Sequence, residues 1–131
     1  MSRSFNDVLT GNFSGPAEEP PVEMLNKLVS SLGRKMSYKI DFQVSSAAAV
    51  GGRISHTVRA SIRSIDYELD LLTVSHQILQ LYPVKLTGML GGGEGFGMVE
   101  IHNEQELFEK LAESFNSKKA QDVLGTLVKQ A

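Results

Sequence analysis

The stretch Thr57 to Thr73, TVRASIRSIDYELDLLT, decides the fold. Val58, Ala60 and Ile62 alternate with Thr57, Arg59, Ser61 and Arg63, while Tyr67, Leu69 and Leu71 alternate with Asp66, Glu68 and Asp70. Alternation with a period of two is the pattern of a strand with one buried face. Antiparallel pairing through a turn at Ser64 and Ile65 sets Ile62 against Tyr67, Ala60 against Leu69 and Val58 against Leu71 on one face. The other face then sets Arg63 against Asp66 and Arg59 against Asp70. A slip of one residue would place apolar side chains opposite charges, so a single register serves both faces.

Downstream, two readings stay open for Leu71 to Tyr82. Leu71, Val74, Ile78, Leu81 and Tyr82 suit a helix face as well as the run suits a buried strand, and Pro83 ends either one. Val84, Leu86, Gly88 and Leu90 then form one face of a further strand, and Gly97 to Ile101 another, with GGGEGF between them. Pairing about that loop sets Leu86 opposite Ile101 and Thr87 opposite Glu100. Upstream, Tyr38, Ile40, Phe42 and Val44 alternate with Ser37, Lys39, Asp41 and Gln43 as a half-buried strand, and SSAAAVGGRIS follows as a loop of small residues.

Helices flank this core. Pro20 and Pro21 precede Val22, Leu25, Leu28, Val29 and Leu32 at helical spacing, with Gly33 placed to end the helix. Asn103 followed by Glu106 has the spacing of an N-cap and its reciprocal partner, and Leu107, Phe108, Leu111 and Phe115 supply a buried stripe. Asn116 and Ser117 break that helix; Ser117 caps the next, where Ala120, Val123, Leu124, Leu127 and Val128 recur at three and four. The order predicts an α+β fold: an antiparallel β-meander of about four or five strands, with one N-terminal helix and two C-terminal helices packed on one face. Residues 1–21, rich in Ser, Gly, Pro, Asn and Glu, are expected to be a flexible tail, and residues 22–131 a single domain.

Composition narrows the function by exclusion. At 41% hydrophobic and 21% charged residues, the chain is neither collagen-like nor wholly disordered. A formal charge of −2 supplies no field to gather nucleic acid or an anionic membrane. The absence of cysteine removes disulfides, thiolate nucleophiles and Cys-ligated zinc. No secretory leader and no long apolar run is legible, so a soluble, cytoplasmic protein is expected.

The motifs of chemistry are weak. Gly91 to Gly97 resembles a phosphate cradle only in its glycines, because a strand follows it and Glu94 sits where an anion would bind. It reads as a hairpin loop; as a flap over a ligand, Phe96 would be the residue to close. Histidine is the residue type whose reference pKa lies nearest neutrality, which makes His56, His76 and His102 the acid–base or metal candidates, but their spacing is no metal motif. No serine sits in a nucleophile elbow, so a serine nucleophile has no support. Asp66, Glu68 and Asp70 read as partners of Arg59 and Arg63, not as glycosidase carboxylates. Single-strand binding would need aromatics on the Arg59 face, whereas Tyr38, Phe42 and Tyr67 alternate with the charges and are expected in the core, which disfavours a nucleic-acid partner.

Two functions emerge. The first is a small non-catalytic protein-interaction module of the adaptor, assembly-factor or immunity/antitoxin-regulator type. Its surface would be Lys39, Arg59, Arg63, Asp66, Glu68 and Asp70, or the terminal helix through Leu124, Leu127 and Val128. Its partner would be another protein or a second copy docked through that helix or an edge strand. The second is a small-molecule-binding protein or enzyme, with a pocket between sheet and helices gated by residues 91–97 and lined by His56, His76, His102, Glu100 and Phe96. Convergence of these side chains in a cavity, or their dispersal, separates the two. No cofactor, metal or membrane partner is expected from either.

Overall fold

The computed structural model describes residues 4–11, 13–91 and 98–131. The elements run α1 (Phe5–Val8), α2 (Pro21–Lys35), β1 (Asp41–Ala49), β2 (Arg53–Ile62), β3 (Tyr67–Gln77), β4 (Val84–Thr87), β5 (Val99–Ile101), α3 (Glu104–Asn116) and α4 (Lys118–Gln130). The strands form one antiparallel meander in the order β1-β2-β3-β4-β5, and Met24 and Leu25 of α2, Leu107 and Leu111 of α3, and Ala120, Leu124 and Leu127 of α4 share a core with Val58, Ala60, Leu72, Val74, Val84, Leu86 and Ile101. The α+β class and the helix placement are those the sequence predicts.

The decisive hairpin has the expected register over its first half: Ile62 pairs with Tyr67, Ala60 with Leu69 and Arg59 with Asp70. The connection is longer than two residues. Arg63–Ile65 forms a 3-10 turn closed by Asp66 at φ 51°, so Arg63 does not face Asp66 and instead meets Asp41 of β1 at 2.7 Å. Past Arg59 the register shifts, and Val58 pairs with Leu72 rather than Leu71. Leu71 is thus the extra residue of a β-bulge, and both Leu71 and Leu72 are buried. The bulge moves the inward face of β3 from Tyr67, Leu69 and Leu71 to Leu72, Val74 and His76, so the open question over Leu71 to Tyr82 resolves as strand to Gln77, followed by a turn.

The bulge is locked from outside the hairpin. Leu90 donates its N–H to the Leu71 carbonyl at 2.9 Å. Gly88, at φ 103°, lies so close that a Cβ there would stand 2.9 Å from the Leu72 Cα. The chain therefore leaves β4 at Thr87, and Val84 rather than Leu86 pairs with Ile101, Lys85 with Glu100 and Leu86 with Val99. This register differs from the predicted one by two residues, which preserves the sorting of faces and explains why side-chain parity alone could not choose between them.

Four other expectations are corrected. The helix does not end at Gly33: α2 continues to Lys35, and Gly33 is buried with the Tyr38 ring 3.6 Å from where its Cβ would stand. Tyr38 is consequently 71% exposed at φ 58°, in a turn rather than in the strand and the core. SSAAAVGGRIS is mostly strand: Ser45 to Ala49 complete β1 and Arg53 to Ser55 begin β2, with only Val50, Gly51 and Gly52 between them. Phe108, expected in the buried stripe of α3, is 60% exposed.

The helix caps follow the sequence closely. Asn103 accepts from the Glu106 N–H at 2.8 Å, and Ser117 accepts from the Ala120 N–H at 3.1 Å. The Glu106 carboxylate reaches the His102 N–H at 3.3 Å, one residue short of the reciprocal partner expected. Near the N-terminus, Pro21 is buried in the first turn of α2. The Glu19 carbonyl accepts from the Tyr82 hydroxyl at 3.0 Å, and its N–H donates to Glu104 at 2.8 Å. Burial, then the carboxylates of Glu104, Glu18 and Glu19, push the Tyr82 hydroxyl up to about 12, so it stays a donor.

Gly88→Ala should lower stability by about 1–3 kcal/mol, because the added methyl meets backbone and the left-handed φ is strained. Chemical denaturation of the two proteins measures it; an unchanged midpoint would show that the approach to Leu72 relaxes freely.

Candidate functional site

The open face of the sheet is built from the residues that alternate with the core. The paired positions place Gln43, Ser45 and Ala47 of β1, Ser55, Thr57, Arg59 and Ser61 of β2, Glu68, Asp70, Thr73 and Ser75 of β3, Lys85 of β4 and Glu100 of β5 together. Hydroxyls and charges dominate it. The Thr57 and Thr73 hydroxyls meet at 3.0 Å, Arg53 donates to the Ser75 hydroxyl at 3.2 Å, and Arg59 holds Asp70 at 2.7 Å with Glu68 at 3.8 Å. The hydrogen bond to Asp70 and then its charge raise the Arg59 guanidinium above its ordinary value.

Of the six residues proposed as an interaction surface, the structure brings Arg59, Glu68 and Asp70 into one cluster. Arg63 is drawn away to Asp41, and exposed Lys39 and Asp66 lie in the turns at the ends of the strands. No aromatic occupies the open face among the described residues. Tyr67 is exposed but on the helix side, where it lines an apolar groove of about 560 Å³ with Ile65, Leu69, Met89, Val123 and Leu127. Phe42 is half-buried against the core.

The proposed ligand set is divided. His102 and Glu100 are exposed side chains 4.0 Å apart near the end of β5, and Phe96, with the rest of 92–97, lies outside the described residues. His56 and His76 come together: each is only 4% exposed, and their Nε2 atoms are 3.1 Å apart. His56 pairs with Val74 and His76 with Ile54, so the two rings are diagonal neighbours on the helix-facing side. Without the Leu71 bulge, His76 would point to the opposite face, which is why the sequence gives no sign of the pair.

The surrounding acceptors assign the protons. The Nδ1 of His76 faces the Gln77 and Gln80 carbonyls at 2.7 and 2.8 Å, so it must carry hydrogen. With both rings neutral, the Nε2 of His76 is then an acceptor, the Nε2–H of His56 donates to it, and the Nδ1 of His56 accepts from the Ser46 hydroxyl at 2.6 Å. The result is a one-way chain from Ser46 through His56 and His76 to two backbone carbonyls. All four ring nitrogens are occupied.

Burial, then the charge of His76, lowers the His56 pKa. The Ser46 contact is within reach of a nucleophile and its base, a pairing absent from the sequence reading, but desolvation weakens His56 as a base. Among the described residues, two apolar grooves on the helix side are lined by other residues, the one bounded by Tyr67 and α4 and one of about 290 Å³ between Met24 and Leu28 of α2 and Phe108 and Leu111 of α3, while a smaller cleft of about 80 Å³ places Glu100 with Arg53, Gln77, Gln80 and Lys85 but with none of the histidines. Among the described residues no three potential metal ligands cluster, and no helix is long and apolar enough to cross a membrane.

The sequence reading offered an edge strand as a docking element without saying which one; the structure places β1 at an edge of the sheet and lengthens it. β1 runs for nine residues, all paired with β2 without a bulge, and among the described residues no strand lies on its other side. It contains no Pro, Lys or Arg, the residues that ordinarily guard an edge. Its second half went unrecognised because Ser and Ala give no apolar alternation. Comparison with protein-family models, with characterised proteins and with solved structures found no match.

The pH dependence of stability follows from His56. Its folded pKa is depressed, so its contribution is complete above about 6.5 and is lost as pH falls, with a slope of up to about 1.4 kcal/mol per pH unit. Urea midpoints should fall between pH 8 and pH 5.5 in the natural chain and less steeply in His56→Gln; equal slopes would assign the effect to other groups. Arg59→Ala should leave the urea midpoint close to that of the natural chain, since solvent screens ion pairs at the surface, and a large drop in the same measurement would contradict that reading.

Proposed function

We propose that the chain is a small protein-interaction module that acts by presenting surface and carries out no chemistry of its own. The observation that carries this reading is β1: a nine-residue edge with an unbroken ladder on one side and, among the described residues, no strand on the other. Natural sheets blunt such edges unless they are used, and adding a strand to a free edge is a recurring mode of protein recognition. The polar face around Arg59, Glu68 and Asp70 adjoins this edge and supplies charges of both signs for specificity. An adaptor, assembly factor or immunity-type regulator needs no more than this.

The convergence of His56 and His76 is the observation that favours the alternative, a ligand-binding protein or enzyme. Against it, each ring nitrogen is already bonded within the protein, and His102 and Glu100 stand apart on the surface. The pair is better explained as a way to satisfy polar groups on the inward face of the sheet.

Lysines at Gln43 and Ala47, both exposed on the open face of β1, would guard the edge without entering the core. A stoichiometric protein partner retained by the natural chain should be lost by the Gln43→Lys, Ala47→Lys variant at unchanged thermal stability. Equal retention by both would exclude the edge as the interaction surface.

A further inference from the structure

We infer that the occupant of the β1 edge is the β1 strand of a second copy of this chain, paired antiparallel about a two-fold axis at Ser45. This rests on the reading of β1 as an interaction edge and names its partner. The strand reads DFQV-S-SAAA, with the larger residues in its first half and small ones in its second. Paired with itself about Ser45, it sets Asp41 against Ala49, Phe42 against Ala48, Gln43 against Ala47 and Val44 against Ser46. Every larger side chain then meets a small one on the same face, and all nine residues are used. Any other self-register leaves part of the strand unpaired.

Charge agrees with size. Asp41 is the one charged residue of β1, it is already paired with Arg63, and the two-fold keeps it away from its own copy. On the helix side, the half-buried Phe42 and Val44 gain cover from Ala48 and Ser46 of the second copy. The 100% exposed Val50 at the hairpin tip is carried to the Ile40 end of the opposing β1. A foreign segment would have no reason to match this large-then-small order. The two-fold joins two five-stranded sheets into one of ten strands, with both sets of helices on one side and a continuous polar face on the other.

Because Ser45 lies on the axis, it opposes itself, which gives a test specific to this register. Light scattering of the natural chain over a concentration series should approach twice 14.3 kDa. Ser45→Lys and Ser45→Glu should each be folded monomers by circular dichroism and light scattering, since like charges would face one another, and an equimolar mixture should recover the dimer. A natural chain that stays monomeric, or single variants that remain dimeric, overturns the self-pairing. A monomer that nevertheless holds another protein, and loses it in the Gln43→Lys, Ala47→Lys variant, leaves the edge reading standing with a different partner; no dimer and no effect of those lysines removes both.

Discussion

The bulge at Leu71 is the constraint on which the rest of the structure depends. A strand whose inward residues are Tyr67, Leu69 and Leu71 cannot also turn Leu72, Val74 and His76 inward unless one residue is inserted between the two phases. Burying both Leu71 and Leu72 supplies the apolar gain that favours this irregularity. The extra residue frees the Leu71 carbonyl to accept from Leu90 and brings Gly88 against Leu72. Those two contacts hold the chain just past β4 against the bulge.

The same phase change creates the buried histidine pair. Val58 faces Leu72 and His56 faces Val74, so His76 arrives diagonally across from His56 and the two rings close on one another. Two imidazoles on the inward face would each need partners, and the chain from Ser46 to the Gln77 and Gln80 carbonyls provides them. Local accommodation thus takes up the groups that looked most able to do chemistry. The surface proposed for function lies on the other side and at the edge of the sheet.

Edge and face belong together. β1 is held by its ladder to β2 and by α2 packed over its beginning, and its far half of small residues is left with both faces open. The Arg59 cluster lies one strand away on the open face. A partner strand added to β1 would therefore extend the polar face as well as satisfy the edge, linking recognition of backbone to recognition of charge.

The sequence by itself determined the α+β class, the meander order, the Arg59 to Asp70 pairing and both C-terminal helix caps, because each depends on residues close in the chain or on a strict alternation of faces. It misplaced Tyr38 and Phe108 in the core, since an apolar or aromatic residue at the right spacing can still fall at the end or rim of an element. It left Leu71 to Tyr82 open because a bulge advances the two-residue period by one, and the resulting step from Leu71 to Val74 imitates a helical spacing. It read Ser45 to Ala49 as loop because a strand of small residues with both sides exposed carries no hydrophobic pattern. Only the tertiary structure decided the histidine pair, the second register and the free edge, for these depend on which strand lies beside which and on the single inserted residue that changes what each one faces.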